Sequence, residues 1–197
     1  MFEFLKILLR YLIPSYLIVF AVGFWVTYSA VDSQRQVILT NETARLSSVN
    51  AAMQQNLKLL SRDILYLSKS KLIKDVLSDD ASPTELQSLT NQWAELMAAS
   101  QMYDQIRWID NSGQERLRLN LVNGSAIRIE DSQLQNKNDR YYFKDSIGLN
   151  NDSFYFSVLD LNVEKNQIET PYKPVIRLAR TVYDNQGIKK GIVVVNY

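Results

Sequence analysis

The sequence lacks both cysteine and histidine among its 197 residues. Without histidine it cannot use Ser-His or Cys-His catalysis or a histidine phosphoacceptor, and without either residue it has no thiol chemistry and no Cys/His zinc site. Few classes of enzyme remain, and neither a cofactor nor a metal site is predicted. Because proteins without disulfides occur on both sides of a membrane, the missing cysteine leaves the compartment open.

An excess of charge of one sign is also lacking. The 22 Lys and Arg residues nearly balance the 21 Asp and Glu residues, for a formal net charge of +1, and no long basic run occurs. Nucleic-acid-binding proteins usually concentrate Lys and Arg on a strongly basic face, so no nucleic-acid partner is expected. A content of 46% hydrophobic and 22% charged residues suits one globular domain with an appendage.

Charged residues are missing between Arg10 and Asp32, where Leu, Ile, Val and Phe dominate. At 1.5 Å per residue, residues 11–31 rise about 30 Å, which predicts a transmembrane helix. Lys6 and Arg10 precede it, so the positive-inside rule makes residues 1–10 a cytoplasmic tail and puts the rest outside. A cleaved signal peptide is the alternative, although the apolar stretch exceeds the usual length of about 7 to 15 residues.

Apolar residues beyond the membrane segment recur at steps of three and four, which is typical of one face of a helix. They are Val49, Met53, Leu57, Leu60, Ile64 and Leu67. This pattern predicts a long stalk helix over 32–77. Its apolar stripe can pack on the domain that follows, or on the stalk of a second copy to give a homodimer, and the two arrangements can coexist.

A second helix is predicted after a break at 79–83. Ser82 is a suitable N-cap, Pro83 fits the first helical position, and Glu85 completes a capping box. The apolar spacing predicts that this helix ends near Ser100.

The hydrophobic period changes to two from Tyr103 onward, which predicts strands. We expect them at 106–108, 117–121, 126–129, 154–161, 175–183 and 191–197. The turns at 110–113 and 184–187 both contain Asp, Asn and Gly. Helices followed by an antiparallel meander indicate an α+β domain over 78–197. Because the chain stops inside the last expected strand, we also expect a truncated module and a fragment of a longer protein.

A family resemblance rests on several segments that occur in a particular order. They are YDQIRWID at 103–110 with Gly113 and Glu115, LQNK at 134–137 leading to RYYF at 140–143, and Ser157, DLN at 160–162, Pro174, Arg177, Gly187 and Gly191. This order resembles the double Cache (PDC) sensor domains, PAS-like extracytoplasmic modules of bacterial histidine kinases, diguanylate cyclases and chemoreceptors. The resemblance implies a PAS-like antiparallel sheet flanked by helices, in the periplasm. It also implies that a second module, a second membrane helix and a cytoplasmic output domain follow this chain.

The same resemblance implies a ligand site. Amino-acid-binding members carry Arg-x-Trp-Tyr after a Tyr, with carboxylates on later strands; here Gln135 stands for that Tyr and Arg140 opens the motif. The implied ligand-binding residues are Arg140, Tyr142, Phe143, Asp160 and Asn196. Arg140 would bind a carboxylate through two parallel hydrogen bonds. Because Asn196 replaces the closing Asp, the expected ligand is an amino acid, a carboxylate or another small anion.

Each of these residues also has a structural interpretation. Arg140 can be a surface charge or part of an ion pair, Tyr142 and Phe143 can be core aromatics, and Asp160 can cap a turn. Other charged residues have the same default. Arg177 and Arg180 can form the solvated face of a strand, and Arg107 and Asp110 can pair beside a hairpin.

Three classes of function remain open. The leading hypothesis is a non-enzymatic sensor in the cytoplasmic membrane that binds a small solute outside and signals to a kinase or cyclase domain inside. The second is a structural, dimerisation or protein-interaction module. The third is an extracytoplasmic enzyme that would use paired carboxylates such as Asp152 and Asp160.

Overall fold

A computed structural model of the protein describes residues 2–78, 80–164 and 167–197. The chain divides into two compact units, Met1–Asn56 and Leu57–Tyr197. The second unit therefore begins within the predicted stalk helix, 21 residues before position 78, where the sequence predicts the start of the sensor module.

The first helix, α1, runs from Phe2 to Lys69 and covers both the predicted membrane segment and most of the predicted stalk. Among the described residues it is the one helix that is long and apolar enough to cross a membrane. The large apolar side chains in 11–31, such as Phe24 and Trp25, are exposed. Exposed apolar side chains over about 30 Å are what a lipid-facing helix requires.

The predicted stalk helix over 32–77 is interrupted at Ser70. Helix α1 ends at Lys69, and the short helix α2 runs from Lys71 to Val76. The Ser70 hydroxyl accepts a hydrogen bond from the backbone N–H of Ile73 at 3.3 Å. An N-cap of this kind starts a new helix because it satisfies a free backbone donor, so the chain can change direction there.

The apolar stripe of the stalk has two different environments. Leu60, Ile64 and Leu67 are buried in the hydrophobic core of the second unit. Val49 and Met53, in the first unit, are 66% and 58% exposed. The intramolecular packing expected for the stripe therefore holds for its C-terminal part.

Helix α3 runs from Pro83 to Ser100, as the capping signals predict. The Ser82 backbone N–H donates to the Glu85 carboxylate at 2.6 Å, and the Glu85 N–H donates to the Ser82 hydroxyl at 3.3 Å. Trp93 and Met97 are fully buried on the opposite side of the helix from its solvent face. The capping box and the apolar face together fix both where the helix begins and what it covers.

Six strands form the main sheet, and all neighbouring strands are antiparallel. The bounds are β1 Gln105–Ile109, β2 Glu115–Val122, β3 Ser125–Arg128, β4 Tyr155–Phe156, β9 Arg177–Tyr183 and β10 Lys189–Asn196. Their order across the sheet is β3-β2-β1-β10-β9-β4. The expected meander is therefore wrong, because the last strand lies beside β1 in the centre. Residues 192–195 of β10 are buried on both faces, as an uninterrupted apolar strand requires.

The predicted strand over 154–161 is not continuous, and two short strands, β4 and β5 (Asp160–Leu161), take its place. Only β4 joins the main sheet there, while β5 pairs with β8, Pro174–Val175, in a separate two-stranded sheet. A further hairpin consists of β6, Val163–Glu164, and β7, Gln167–Ile168. Val158 and Leu159, which lie between these two strands, are exposed.

The two faces of the main sheet have different coverings. One face packs on α1, α2 and α3 in the larger hydrophobic core. The other packs part of its surface on helix α4, Tyr141–Ile147, through Tyr142 and Phe143 against Ile192 and Val194. The remainder of this second face carries polar side chains and forms the candidate site.

We expect Ile64→Ala to lower the free energy of unfolding by about 2–5 kcal/mol, because it leaves a cavity in the core. Val49→Ala, on the exposed part of the same stripe, should change it by less than about 0.5 kcal/mol. Urea unfolding of the full chain in detergent micelles, followed by tryptophan fluorescence, measures both. Equal effects would contradict the packing of the C-terminal end of α1 on the sheet.

Candidate functional site

Arginines from adjacent strands meet on the polar part of the second sheet face. Arg107 on β1 lies directly opposite Arg118 on β2. On the other side of β1, Gln105 lies opposite Asn196, which in turn lies opposite Arg177 on β9. All five side chains are buried. Because like charges directly opposite each other destabilise a sheet, this arrangement requires anions nearby.

Glu115 supplies the first anion. Between Trp108 and Ile109 the register shifts, so that Ile109 lies opposite Glu115 and Arg116 is left as an extra residue. This bulge turns Glu115 onto the same face as Arg107 and Arg118. Its fully buried carboxylate lies 3.2 Å from the Arg118 guanidinium and 3.7 Å from the Nε of Arg107.

Glu164, on the hairpin strand β6, supplies the second anion. Its Oε1 accepts hydrogen bonds from Gln105 at 3.1 Å and from Arg107 at 3.3 Å. Its Oε2 accepts three more, from Arg118 at 3.2 Å, Gln135 at 3.0 Å and Lys137 at 3.3 Å. One carboxylate is thus surrounded by five donors, three of which are positively charged.

These contacts shift the titration of the groups involved. Burial alone would raise the pKa of Glu164, but the charges of Arg107, Lys137 and Arg118 outweigh it and lower the pKa to about 2. Burial and the nearby Arg107 lower the pKa of Lys137, against the opposing effect of Glu164. The carboxylate is therefore ionised at neutral pH, as charge-assisted hydrogen bonds require.

A second group of polar side chains surrounds Arg177. Its guanidinium donates to the Asp160 carboxylate and to the Tyr141 hydroxyl, both at 3.3 Å. It also donates to Asn162, whose side-chain oxygen accepts a hydrogen bond from Asn196 at 3.2 Å. The two groups meet at Tyr142. Arg107 donates to the Tyr142 hydroxyl at 3.0 Å, and the Arg177 guanidinium lies 5.1 Å from the centre of its ring.

Three of the five predicted ligand-binding residues meet in this network. Tyr142, Asp160 and Asn196 are linked through Arg177 and Asn162, as described above. Phe143 instead lies in the apolar cluster with Ile192 and Val194. The half-buried Arg140 precedes α4, and within the described ranges its side chain makes no hydrogen bond or ion pair. The role of all five residues in ligand binding remains a prediction.

Two structural interpretations of the arginines are wrong. Arg177 and Arg180 do not form a solvated face, because both are buried and they point to opposite faces of β9. Arg180 contacts the Phe154 ring and the Asn151 carbonyl. Arg107 does not pair with Asp110, which binds Arg116 instead.

Six charged residues of the site were not among the predicted ligand-binding residues. They are Arg107, Glu115, Arg118, Lys137, Glu164 and Arg177. Arg107 and Arg118 alternate with apolar residues, so they read as solvent-facing positions of half-buried strands. The expected hairpin of β1 and β2 did carry one signal, since it sets Arg107 and Arg118 on paired strands, and two arginines opposite each other need counter-ions.

Catalysis by the paired carboxylates Asp152 and Asp160 finds little support in the described residues. Asp152 pairs with Lys69 and Arg180, whereas Asp160 pairs with Arg177 on the other face of the sheet. These two carboxylates are therefore not brought together. No cluster of three or more acidic residues that could hold a metal ion occurs among the residues described. Two clefts in the described part of the chain, of about 390 and 530 Å³, are lined by residues outside the polar network.

Solved structures with the same fold are sensor domains. One is a domain described as part of a sensory box/GGDEF family protein from Vibrio parahaemolyticus, with 26% identity and a TM-score of 0.66, covering 74% of this chain and 53% of that one. Another is the extracellular domain of a protein described as the histidine kinase vpHK1S-Z8, with 26% identity, a TM-score of 0.66 and coverage of 74% and 50%. This chain spans about half the length of each. No curated protein matches the sequence.

The family model described as "Bacterial histidine kinase, sensor domain" matches residues 27–197. The chain therefore belongs to the family of bacterial histidine kinase sensor domains. The match begins inside the predicted membrane segment and includes the stalk and the whole sheet. The family, the α+β fold and the sensor role expected from the sequence are confirmed.

The depressed pKa of Glu164 predicts a pH dependence of stability. Its folded pKa of about 2 lies below its ordinary value of 4.5, so its contribution is present above about pH 5 and is lost as the pH falls from 4.5 towards 2. We expect the stability advantage of the wild type over Glu164→Gln to shrink by about 2 kcal/mol between pH 6 and pH 2.5. Urea unfolding across this range measures it. A constant difference would show that the three cations do not hold the Glu164 carboxylate.

Proposed function

We propose that this chain is the extracytoplasmic sensing end of a bacterial membrane receptor. Residues 11–31 anchor it in the cytoplasmic membrane, with residues 1–10 in the cytoplasm. The module binds a small solute such as an amino acid, a carboxylate or a similar anion. It passes the signal through α1 to a cytoplasmic output domain, a kinase or a diguanylate cyclase, that lies outside this chain and carries the catalysis.

The observation that carries this proposal is the buried charged face of the sheet. Burying Arg107, Arg118 and Lys137 costs free energy that apolar side chains would not cost. Charged groups with shifted pKa values that cluster in one place are typical of functional sites. Since the donors already converge on one carboxylate, the geometry supports a ligand that carries the same group.

A direct contact links the site to the helix. Tyr103 lies two residues before Gln105, and its hydroxyl donates to the Asp63 carboxylate on α1 at 2.6 Å. Burial and the neighbouring Asp63 raise the pKa of Tyr103, so the hydroxyl stays protonated and keeps donating. A ligand that moves β1 therefore acts on α1 through this bond. It shifts the receptor between two states only if its affinity for them differs.

Thermal unfolding of the full chain in detergent, with a panel of amino acids, organic acids and amines, tests solute binding. We expect carboxylate-bearing solutes to raise the unfolding temperature and simple amines to leave it unchanged. Arg118→Ala and Arg140→Ala should each weaken binding about ten-fold or more, the effect of losing a charge-assisted hydrogen bond.

Arg128→Ala is the matched control, because Arg128, the last residue of β3, binds Asp131 outside the polar network. It should leave binding unchanged. The proposal fails if no solute in the panel stabilises the wild type and Arg140→Ala leaves the signalling output of the receptor intact.

The exposed apolar residues Val49 and Met53 support a second candidate role, homodimerisation through the stalk. They continue the stripe whose C-terminal part is buried, and a second copy of the same helix could cover them. This role is compatible with solute sensing.

Since the chain has no cysteine, single introduced cysteines test the pairing cleanly. In membranes, we expect Met53→Cys to form disulfide-linked dimers readily. Gln55→Cys, two residues further and so on the opposite side of the helix, should form few. Equal crosslinking at both positions, or a monomer at every membrane density, would rule the stalk dimer out.

A further inference from the structure

We propose that Glu164 is an internal occupant of an anion site formed by Arg107, Arg118 and Lys137, and that a solute carrying a single carboxylate activates the module by displacing it. This inference rests on the proposed sensing function and names its ligand class and its ligand-free state. The Glu164 carboxylate then competes with the carboxylate of the solute for the same hydrogen-bond donors.

The contacts of Glu164 are those that a bound carboxylate would make. Both of its oxygens are used, with two donors on Oε1 and three on Oε2. The donors come from β1, from β2 and from the loop before α4, none of which belongs to the hairpin of Glu164. A free carboxylate in the same position would meet the same guanidinium, ammonium and amide groups without any change in the sheet.

Glu115 and Glu164 neutralise the same cations but differ in how they are held. The side chain of Glu115 has no exposed surface and lies on β2, which is paired on both sides within the main sheet. The side chain of Glu164 is 21% exposed and lies on the two-residue strand β6. Glu115 is therefore a fixed counter-ion, whereas the side chain of Glu164 is partly open to solvent.

The hairpin that carries Glu164 is separate from the main sheet. Strands β6 and β7 pair only with each other among the described strands. Contacts at the base of the hairpin hold it independently of the cations: Asn162 donates to the Glu169 carboxylate at 2.7 Å, and Lys173 lies 3.0 Å from that carboxylate. Glu164 can therefore leave the three cations while the sheet and the base of the hairpin stay intact.

The charges set the ligand class. Three cations, Arg107, Arg118 and Lys137, face two carboxylates, those of Glu115 and Glu164. When Glu164 leaves, three positive charges face one negative charge in a buried place, which is costly. A solute with one carboxylate restores the original balance, whereas a neutral solute or an amine does not.

Acetate is the first probe, since Glu164→Ala removes two carbons and two oxygens, the heavy atoms of acetate. We expect acetate to raise the unfolding temperature of the full-length Glu164→Ala variant in detergent, and to bind it about ten-fold or more tightly than the wild type, where the internal carboxylate competes. Acetamide and chloride at equal concentration should have no such effect. Asp131→Ala, which removes a carboxylate that binds Arg128 outside the polar network, should bind acetate like the wild type.

Release of Glu164 is measured directly in the otherwise wild-type chain. An environment-sensitive fluorophore on Ile168→Cys, an exposed position of β7, should change its emission as acetate binds, with the same midpoint as the shift in unfolding temperature. The same label on Ile127→Cys, exposed on β3, should not respond. This readout does not depend on whether Glu164→Ala folds.

Three results would overturn the inference and are distinct from a failure of solute sensing. If acetate binds Glu164→Ala but never moves the label at position 168 in the wild type, Glu164 is a permanent structural partner. If acetate stabilises neither chain while another solute of the panel still does, the sensing function stands and its site lies elsewhere. Acetate binding of equal strength to the wild type and Glu164→Ala would likewise show that Glu164 does not compete.

Discussion

Three buried cations, Arg107, Arg118 and Lys137, impose the constraint on which the site depends. Two of them are set opposite each other by the pairing of β1 and β2. Such a pair is tolerable inside a protein only when anions and hydrogen-bond partners surround it, because an unpaired buried charge costs several kcal/mol. The bulge that turns Glu115 inward and the hairpin that brings Glu164 to the site both meet this requirement.

The same constraint connects the site with the helix that leads to the membrane. Strand β1 carries Arg107 and Gln105, and the residue two places earlier, Tyr103, is hydrogen-bonded to Asp63 on α1. Leu60, Ile64 and Leu67 pack α1 on the other face of the same sheet. A shift of β1 is thus transmitted to α1 through one hydrogen bond and one layer of packed apolar side chains. These are the two kinds of contact that can couple a sheet to a helix.

Features fixed by neighbouring residues were predictable from the sequence. The capping box at Ser82 and Glu85 gave the start of α3, and the Asp-Asn-x-Gly turns gave the two hairpins, since these signals act within a few residues. The position of β10 between β1 and β9 was not predictable, because nothing local distinguishes a central strand from the last strand of a meander. The break in the strand expected over 154–161 was missed for the same reason, as apolar residues at 158 and 159 are exposed there.

The sequence by itself determined an apolar membrane-length segment, an amphipathic helix after it, an α+β module and the family, because hydrophobic period and turn chemistry are local properties. Only the tertiary structure decided which charged residues form the site. The alternation of polar and apolar residues in the two paired strands indicates that Arg107 and Arg118 share a face of the sheet. It does not indicate whether solvent or other residues cover that face, because both cases give the same pattern. What distinguishes them is the return of distant segments, residues 134–142 and 160–164, over that face, and the burial that follows gives these charges their partners.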